Sequence, residues 1–438
     1  GRRCLLKLFL GRGARRYRDR ELAGCRLLAE AGVATPEILG EVTDPQGQGL
    51  GILFDYLPAA RAVGADDEAR MALAAAELAR LHAFGAWHGD LHLNNFLFRE
   101  TVSGESPEDA AAESQDRRVY MIDGDGVRKR RSSGAAGPLP LDVAASLRNL
   151  ATLCVQRPPL LDASLPGLLA AYARGRGWAT SGNRFDTLLA SLVEATRRQR
   201  RRRVRRYLRK AQRDCTEYVC ERSFRRYFVC LRDCLSEELL AFRQDPESFF
   251  MGAEMLKDGN SATVVRSRIG QRSCVIKRYN IKSPWHALRR TLKPGSRFRR
   301  AWCNGQRLHF LRIPTARPLA LLERRHGPLR GVAYLVMEDC GAEDLSRLAA
   351  GTGLTGRHID AVTRIFRALV AAGLSHGDTK ATNFLVAGDD VLLVDLDAMR
   401  ESPAGQAKDI GRFLANWDPA LGRRFRERFA EARLPLPD

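Results

Sequence analysis

The sequence predicts an α+β fold in two successive modules, each with an antiparallel sheet and one helix followed by a mostly helical lobe. At 438 residues the chain is long enough for two domains, and its 45% hydrophobic content can fill their cores. A stronger observation is a polar motif that occurs twice with the same internal spacing and the same flanks. We expect a first module over residues 1–240, which ends in an Arg-rich helical segment at 197–210, and a second over residues 248–438.

The second copy of this motif runs from His376 through Asp378 to Asn383, and an apolar β-type run ending at Asp395 follows it. An Asp in a loop can take or orient a hydroxyl proton, and an Asn five residues later can hold a metal ion. An Asp at the end of a β-type run can hold Mg²⁺ on the phosphates of a nucleotide. Asp378, Asn383 and Asp395 therefore indicate a phosphotransferase site.

The first copy has the same spacing from Asp90 to Asn95, and Asp123 follows its next β-type run. The two Asp residues lie 33 positions apart in this copy and 17 in the other. The excess falls in residues 99–118, a Glu-, Ser-, Asp- and Ala-rich stretch that is typical of a solvated hairpin insertion. Because flanks, spacing and order all repeat, we interpret both copies as sites rather than as chance loops.

The catalytic loop of protein kinases has the same Asp-to-Asn spacing, followed by a hairpin and a metal-binding Asp. In that fold a strand Lys contacts the α- and β-phosphates and pairs with a helix Glu. Lys7 and Glu21 fit these places in the first module, and Lys277 fits the Lys position in the second. A gap-free alignment of the modules places Ala301 opposite Glu21. Either Lys277 has another partner, or the second module is impaired.

Further nucleotide contacts are predicted on either side of these strands. Residues 257–265 resemble a degenerate phosphate loop entering a strand, and residues 334–338 are typical of the hinge strand whose backbone binds adenine. The matching glycine loop of the first module would precede Lys7, so we expect that module to lack its early N-lobe strands. The predicted cofactor-binding residues are Lys7, Glu21, Gly259, Asn260, Ser261, Lys277, Glu338 and Lys380.

An Asp that opens the helix after the metal-binding Asp can brace the backbone of a kinase catalytic loop. Asp142 and Asp409 are placed for that role in the two modules. The alternative for both is a carboxylate that only stabilises the positive end of its helix.

With these motifs the chain resembles the lipopolysaccharide kinase (Kdo/WaaP) family over nearly its whole length, as two tandem kinase-like modules. The specific elements are residues 87–95 with 122–125, and residues 375–383 with 394–397. One departure is Gly124, where a bulkier residue is expected. The resemblance implies ATP-dependent phosphorylation of Kdo or heptose in the lipopolysaccharide inner core. It also implies catalytic roles for Asp90 and Asp378, and metal-binding roles for Asn95, Asp123, Asn383 and Asp395.

The net charge of +21 indicates a polyanionic partner. The run that begins at Arg197 and ends at Lys210 holds nine Arg, one Lys and no acidic residue. No aromatic platform interleaves it, which argues against nucleic acid as the partner. A lipid A-core precursor in an anionic membrane explains both site and charge. We therefore expect a cytoplasmic protein, peripheral on the inner face of the bacterial inner membrane. A solvated helix face is the alternative.

Two other function classes stay open, a protein serine/threonine kinase and a pseudokinase scaffold in one module. Only 14 positions separate Asp395 from Asp409, which is short for a loop that docks a peptide. Both copies keep the catalytic Asp, the Asn and the metal-binding Asp, which a pure scaffold would not need. The expected cofactors are ATP and Mg²⁺. The ten cysteines have no disulfide-like pattern, as is usual in a reducing compartment, and no run of 18 apolar residues predicts a membrane span.

Overall fold

The computed structural model describes residues 3–43, 49–100, 117–129, 139–280, 296–341 and 343–437. The chain divides into two compact units, Gly1–Gln199 and Arg200–Asp438. Most of the predicted insertion, residues 101–116, lies outside the described residues. In the parts of the chain that are described, no helix combines the length and the apolar character needed to cross a membrane.

The helices are α1 (Ala14–Glu30), α2 (Glu68–Ala83), α3 (Val143–Cys154), α4 (Leu165–Arg176), α5 (Gly182–Lys210), α6 (Glu237–Gln244), α7 (Arg297–Phe310), α8 (Leu345–Ala350), α9 (Gly356–Ala372), α10 (Gln406–Leu414) and α11 (Pro419–Glu431). The strands of the first unit are β1 (Cys4–Leu10), β2 (Ile38–Thr43), β3 (Gly49–Asp55), β4 (Arg61–Ala62), β5 (Ala86–His88), β6 (Phe96–Glu100), β7 (Arg117–Met121) and β8 (Val127–Lys129). Those of the second unit are β9 (Tyr218–Arg222), β10 (Arg226–Leu231), β11 (Glu254–Gly259), β12 (Ala262–Ile269), β13 (Arg272–Tyr279), β14 (Pro318–His326), β15 (Leu329–Glu338), β16 (Glu343–Asp344), β17 (Leu374–Ser375), β18 (Phe384–Ala387), β19 (Asp390–Leu393) and β20 (Arg400–Glu401).

The first unit starts with a three-stranded antiparallel sheet in the order β1-β3-β2, in which Lys7 lies opposite Ile52. Helix α1 packs on this sheet through Leu22 and Cys25, which join Phe9 and Ile52 in a small core. Because side chains two positions apart on a strand lie on the same face of the sheet, Lys7 and Phe9 share the face that α1 covers. A second, larger core holds α2, α3 and α4 against the short strands β5 to β8.

The second unit contains a seven-stranded antiparallel sheet in the order β11-β12-β13-β15-β14-β10-β9. Strand β13 lies inside this sheet, and its Lys277 is opposite Val264 on one side and Leu335 on the other. The core of the sheet includes Phe298 and Trp302 of α7. A separate cluster of aromatic rings packs the helical part of the unit. Its members are Phe366, Phe384, Phe413, Trp417, Phe425 and Phe429.

These units confirm a mixed fold with a large antiparallel sheet and many helices, but their division differs from the predicted one. It falls between Gln199 and Arg200 rather than near residues 240–248. The cause is the pair β9 and β10, because β10 pairs with β14 with Phe228 opposite Leu322. The sequence reading of continuous helix to about residue 240 is wrong here. Residues 227–231 are all buried, as in a strand that is covered on both faces.

Candidate active sites

In the second unit the centre of the site is the side chain of Lys277, which is 9% exposed. Its Nζ lies 2.6 Å from Oδ1 of Asp395 and 3.1 Å from Oδ2 of Asp397. The strand Lys was predicted to contact phosphates and the Asp after β19 to hold a metal ion; the structure brings the two into contact although 118 positions separate them. Asp397 was not predicted to take part.

The predicted catalytic loop lies directly beside Asp395. Asn383 donates from Nδ2 to the backbone oxygen of Asp378 at 2.8 Å, and its own backbone oxygen accepts from the amide of Val394 at 2.9 Å. His376 donates from Nε2 to the backbone oxygen of Val394 at 3.0 Å. Val394 is the residue before Asp395, so the structure brings Asp378, Asn383 and Asp395 together as the motif predicts.

His376 acts here as a neutral linker rather than as an acid or base. It is fully buried, and burial lowers the pKa of His376. Nε2 carries the hydrogen that binds the Val394 carbonyl, and Nδ1 accepts from the amide of Asp378 at 3.3 Å. Both ring nitrogens are therefore used to fix the loop against the strand that carries Asp395.

Asp409 braces the same loop from α10, as predicted. It is 4% exposed and accepts from Ser375 Oγ at 2.7 Å, from the amide of His376 at 2.6 Å and from the amide of Gly377 at 3.0 Å. Charge-assisted bonds of this kind are short and roughly twice as strong as neutral ones.

Asp395 adopts a backbone conformation that few non-glycine residues adopt, with φ 58° and ψ 58°. Asp123 of the first unit has the same conformation, with φ 67° and ψ 67°. Burial opposes ionisation of Asp395, but the charges of Lys277 and Lys257 outweigh it and lower the pKa of Asp395. Lys257, on β11, was predicted only as part of the phosphate loop, yet its positive charge also helps to lower the pKa of Asp395.

Asp397 stands in for the missing helix Glu of the second unit. Its side chain is 7% exposed, and besides Lys277 it accepts from Tyr279 Oη at 2.8 Å and from Arg297 at 3.0 Å. Ala301, aligned with Glu21, is buried on α7 and offers no acid. Of the two outcomes left open by the sequence, Lys277 has found another partner.

The first unit forms the lysine pair in the arrangement that the sequence predicts. Lys7 Nζ lies 2.8 Å from Oε2 of Glu21 and 2.9 Å from Oδ1 of Asp123. Burial alone would lower the pKa of Lys7, but these two carboxylates raise it. Burial likewise opposes ionisation of Asp123, and Lys7 lowers the pKa of Asp123. Glu21 also accepts from the amides of Gly124 and Asp125, at 3.2 and 3.0 Å.

The first catalytic loop resembles the second, except that its histidine binds the backbone oxygen of the Asp itself rather than that of the residue before it. Asn95 donates to the backbone oxygen of Asp90 at 3.0 Å, and His88 donates to the backbone oxygen of Asp123 at 3.1 Å. Burial lowers the pKa of His88, so this imidazole is also neutral. The Asp90 side chain is 77% exposed, against 35% for Asp378.

The brace of the first unit differs from the prediction. Asp142 is the N-cap of α3 and accepts from the amide of Ala145 at 2.7 Å, which was the alternative role. Asn149 instead donates to the backbone oxygen of His88 at 2.9 Å. The signal for this residue lay in the sequence: Asn149 precedes Gln156 by seven positions, as Asp409 precedes Asn416. Gln156 and Asn416 bind the same loop atoms in their two units.

The remaining predicted nucleotide residues lie around Lys277 at the positions expected from the strands. Gly259, Asn260 and Ser261 form the turn between β11 and β12, where Asn280 donates to the backbone oxygens of Gly259 and Ser261 at 3.1 and 3.2 Å. Glu338 ends β15 and is exposed, and its amide donates to the backbone oxygen of Arg317 at 2.9 Å. Lys380 Nζ is 3.9 Å from Asp378 Oδ1.

The donor sets suit a magnesium ion that is shared with phosphates. Among the described residues, no cluster of three or more His, Cys, Asp or Glu side chains could hold a metal by itself. Mg²⁺ commonly binds through only one or two carboxylates, with water and phosphate completing its shell. Because the amide nitrogen of Asn383 donates to Asp378, its amide oxygen could serve as a metal ligand together with the carboxylate of Asp395. Asn95 and Asp123 offer the same pair.

The second unit brings together the strand Lys, the loop Asp and Asn, and the Asp after an apolar strand that the sequence predicts for a kinase-type phosphotransferase. Residues 252–417 match the family model described as the lipopolysaccharide kinase (Kdo/WaaP) family. Recognition of this family is confirmed over that range, and with it the enzyme class, because lipopolysaccharide kinases are ATP-dependent phosphotransferases. The first unit lies outside the matched range.

Among the solved structures that match the chain is one titled "WaaP in complex with acyl carrier protein". It is 22% identical in sequence, and the match covers 43% of this chain and 81% of that chain, with a TM-score of 0.30. No curated protein matches the chain.

Proposed function

We propose that the second unit transfers the γ-phosphoryl group of ATP to a sugar hydroxyl of the lipopolysaccharide inner core, on Kdo or heptose. The observation that carries this proposal is the meeting of Lys277, Asp395, Asn383 and Asp378 inside the range that matches the kinase family. The hydroxyl oxygen attacks the γ-phosphorus, the bond to the bridging oxygen breaks, and ADP leaves. The hydroxyl proton goes to Asp378, whose carboxylate is partly exposed toward solvent.

Lys277 is proposed to bind the α- and β-phosphates. Its ammonium group lies between Asp395 and Asp397, so Asp397 can retain it when Asp395 turns to a metal ion. Asp395 and Asn383 would hold Mg²⁺, which neutralises charge on the β- and γ-phosphates. The turn at Gly259, Asn260 and Ser261 would cover the phosphates, the backbone at Glu338 would bind adenine, and Lys380 would face the transferred group.

The first unit is proposed to be a second kinase-like module, so that the chain carries two in tandem. Its candidate residues are Lys7 and Glu21 for phosphate, Asn95 and Asp123 for metal, and Asp90 for catalysis. A specific observation favours a scaffold role for this unit: the neutral Asn149 stands where Asp409 braces the second loop. We propose that the first unit binds nucleotide and contributes little turnover.

We propose that the Arg-rich part of α5 holds the enzyme on an anionic membrane, on the cytoplasmic face of the inner membrane where a lipid A-core precursor would be presented. Arg200 does not belong to this surface, because it is 3% exposed. Within the second unit the exposed arginines of α5 are Arg202, Arg205, Arg206 and Arg209. Their spacing of three and four positions places them on one face of the helix. The opposite face packs inward through Val204 and Leu208.

The membrane proposal is tested by replacing these four arginines with glutamine. At about 1 kcal/mol per basic residue near the surface, the variant should bind anionic liposomes roughly 10²–10³-fold more weakly at low salt. The remaining binding should respond less to salt. Wild-type binding by the variant at every salt concentration would mean that the run is only a solvated helix face.

The kinase proposal is tested by incubating the full chain with ATP and Mg²⁺ and with either purified inner-core lipopolysaccharide or a generic protein acceptor. Phosphate should appear on the saccharide and should disappear when Asp378 is changed to Asn. Transfer to the protein acceptor alone would indicate a protein kinase. Absence of transfer to both would indicate a scaffold.

A further inference from the structure

Two neighbouring β-turns at one end of the seven-stranded sheet form a protruding surface that no step of phosphate transfer uses. One is the β9–β10 turn, residues 223–225, and the other is the β14–β15 turn, residues 327–328, together with the strand ends His326 and Leu329. Gly327 donates its amide to the backbone oxygen of Phe224 at 3.0 Å, and Arg325 donates to that of Arg225 at 2.8 Å. The two turns are therefore one surface, which we name the hairpin-tip surface.

This surface exposes apolar side chains at its summit. Phe224 is 72% exposed and Leu329 is 45% exposed, and Pro328 beside Leu329 is exposed as well. Single exposed apolar residues are common and need no explanation. Here an exposed phenylalanine and an exposed leucine lie at two adjacent turns.

The flanks of the same surface are basic. Residues 221–226 and 323–330 contain six arginines and two glutamates. Both glutamates are already neutralised from within: Glu323 is fully buried and contacts Arg299 at 2.8 Å and Arg325 at 2.9 Å. Glu221 contacts Arg226 at 2.6 Å and Arg243 at 2.7 Å. The excess positive charge is left to the rim of the surface.

Three arginines of that rim have no acidic partner among the described residues: Arg222, Arg225 and Arg324. Arg222 and Arg324 donate to backbone oxygens, those of Gln212 and Gln244, each at 2.5 Å. A carbonyl bond orients a guanidinium without cancelling its charge. These side chains are therefore held at the rim and remain able to attract anions.

We infer that the hairpin-tip surface docks on an anionic lipid bilayer, with Phe224 and Leu329 entering the headgroup region and the rim arginines contacting lipid phosphates. An apolar tip inside a basic ring matches a bilayer, which offers anionic head groups above an apolar layer. A nucleic acid would supply phosphates for the arginines, but it has no apolar layer that could bury Leu329. The inference deepens the proposed function and rests on it for the membrane location of the substrate.

The position of the surface is compatible with catalysis at Lys277. Lys277 lies opposite Leu335 on β15, and Leu329 begins that strand six positions earlier. At about 3.3 Å per residue this separation is about 20 Å along the strand. Docking at the turns would leave the predicted hinge at the other end of β15 free.

The experiment is co-sedimentation of the full chain with phosphatidylcholine vesicles, with and without phosphatidylglycerol. Phe224→Asp should weaken binding to the anionic vesicles by about tenfold or more, since it removes an inserted ring and adds a negative charge. Met251→Asp is the matched control, because Met251 is an exposed apolar side chain of the same unit, at 80%, away from these turns. It should bind as wild type does. Phe224→Trp should also bind, with Trp emission that shifts to shorter wavelength relative to wild type when vesicles are added.

Equal binding by Phe224→Asp and wild type would overturn the inference, as would an equal loss in the Met251→Asp control. Vesicle binding that is lost only in the four-glutamine variant of α5 would also overturn it. So would retention of wild type by duplex DNA or an acidic protein in preference to vesicles. Turnover with ATP and a water-soluble core oligosaccharide should be unchanged in Phe224→Asp. If neither wild type nor any variant transfers phosphate while vesicle binding still depends on Phe224, the kinase proposal fails and the docking surface stands.

Discussion

Each unit holds its strand lysine between two carboxylates. One carboxylate, that of the Asp after the hairpin, is common to both units, but the second comes from a different element in each. In the first unit Lys7 lies between Asp123 and Glu21, which comes from helix α1. In the second unit Lys277 lies between Asp395 and Asp397, and both come from the loop after β19. The position of the first lysine therefore depends on where α1 packs, whereas the second lysine is fixed by the loop itself.

The helices differ in the way this exchange requires. A Cβ on Gly24 of α1 would lie 1.8 Å from the backbone oxygen of Gly124, so the helix touches the loop after Asp123 there. A Cβ on Gly124 would in turn lie 2.6 Å from backbone atoms of Glu21 and Cys25, which explains the glycine at a position where the sequence led us to expect a bulkier residue. In the second unit Asn304 fills the corresponding place on α7 and donates to the backbone oxygens of Leu396 and Met399 at 2.9 and 3.0 Å. A helix that supplies Glu21 must come close, and a helix that supplies no acid can be held off by an amide.

The largest expected effect separates the two catalytic loops. Asp378→Asn should lower phosphate transfer to inner-core saccharide by about 10²–10⁴-fold, because it removes the proposed proton acceptor. Asp395→Ala should also remove transfer and should weaken nucleotide binding more. Asp90→Asn, the matched change in the first unit, should leave transfer nearly unchanged. If Asp90→Asn abolished transfer and Asp378→Asn did not, the roles assigned to the two units would be reversed.

A second comparison tests the exchanged carboxylates. Asp397→Asn should destabilise the second unit by about 3–5 kcal/mol, because it leaves the buried Lys277 without one of its two acids. Glu21→Gln should destabilise the first unit less, because the Lys7 side chain is 36% exposed and solvent screens its charge. Hydrogen exchange should speed up in β13 but not in α1 for Asp397→Asn, and in α1 but not in β13 for Glu21→Gln. Unchanged exchange in β13 after Asp397→Asn would show that Asp395 alone fixes Lys277.

The packing around Asn149, the residue that braces the first catalytic loop, should respond to acid. His82 binds Asn149 and Tyr172 and is fully buried, and burial lowers the pKa of His82 to about 4, against about 6.5 when unfolded. The stability that comes from this depressed pKa is fully present above pH 6.5 and is lost as the pH falls toward 4, in total about 3 kcal/mol. Hydrogen exchange in α2, measured from pH 7 to 4 and corrected for intrinsic rates, should show this loss. His82→Gln should reduce the slope, and an identical slope in that variant would contradict the assignment.

The close approach of α1 gives the smallest predicted effect. Gly24→Ala should destabilise the first unit by about 2 kcal/mol, since the added methyl meets the backbone at Gly124. Gly167→Ala is its control on α4, where a Cβ meets nothing within 4 Å. That change should be neutral or should stabilise by up to about 1 kcal/mol. Thermal unfolding that moved in the same direction in both variants would argue against a tight contact at Gly24.

The parts of the site that the sequence predicts well are those in which a residue type and a spacing repeat. Asp90 with Asn95, Asp378 with Asn383, and the pairing of Lys7 with Glu21 all follow from motif order. The contact of each lysine with its Asp was not predicted. Asp397 lies within the predicted motif, but nothing in the sequence indicates that it contacts Lys277. The geometry that points it at Lys277 depends on the left-handed turn at Asp395 and on the absence of an acid at Ala301.

Errors arose where one local signal had two physical meanings. Asp142 opens a helix, and a carboxylate there can cap the helix or brace a loop; only packing decided for the cap. Arg200 belongs to a basic run, yet the helix turns it inward. Strands β9 and β10 were read as helix because their own sequence is compatible with both. The partner of β10 on its other side, β14, lies about 90 positions away along the chain, beyond the reach of local periodicity.

The claim at the centre of this account is that Asp397 replaces the helix Glu, and moving the carboxylate back to the helix tests it most directly. The measurement is the affinity of the full chain for Mg²⁺-ATP in the Asp397→Asn variant and in the Asp397→Asn, Ala301→Glu double variant, both on an Asp123→Ala background that removes binding by the first unit. We predict about tenfold weaker binding in the first and recovery of most of that loss in the second. Wild-type affinity without Asp397, or a double variant that binds no better than Asp397→Asn, would contradict the account.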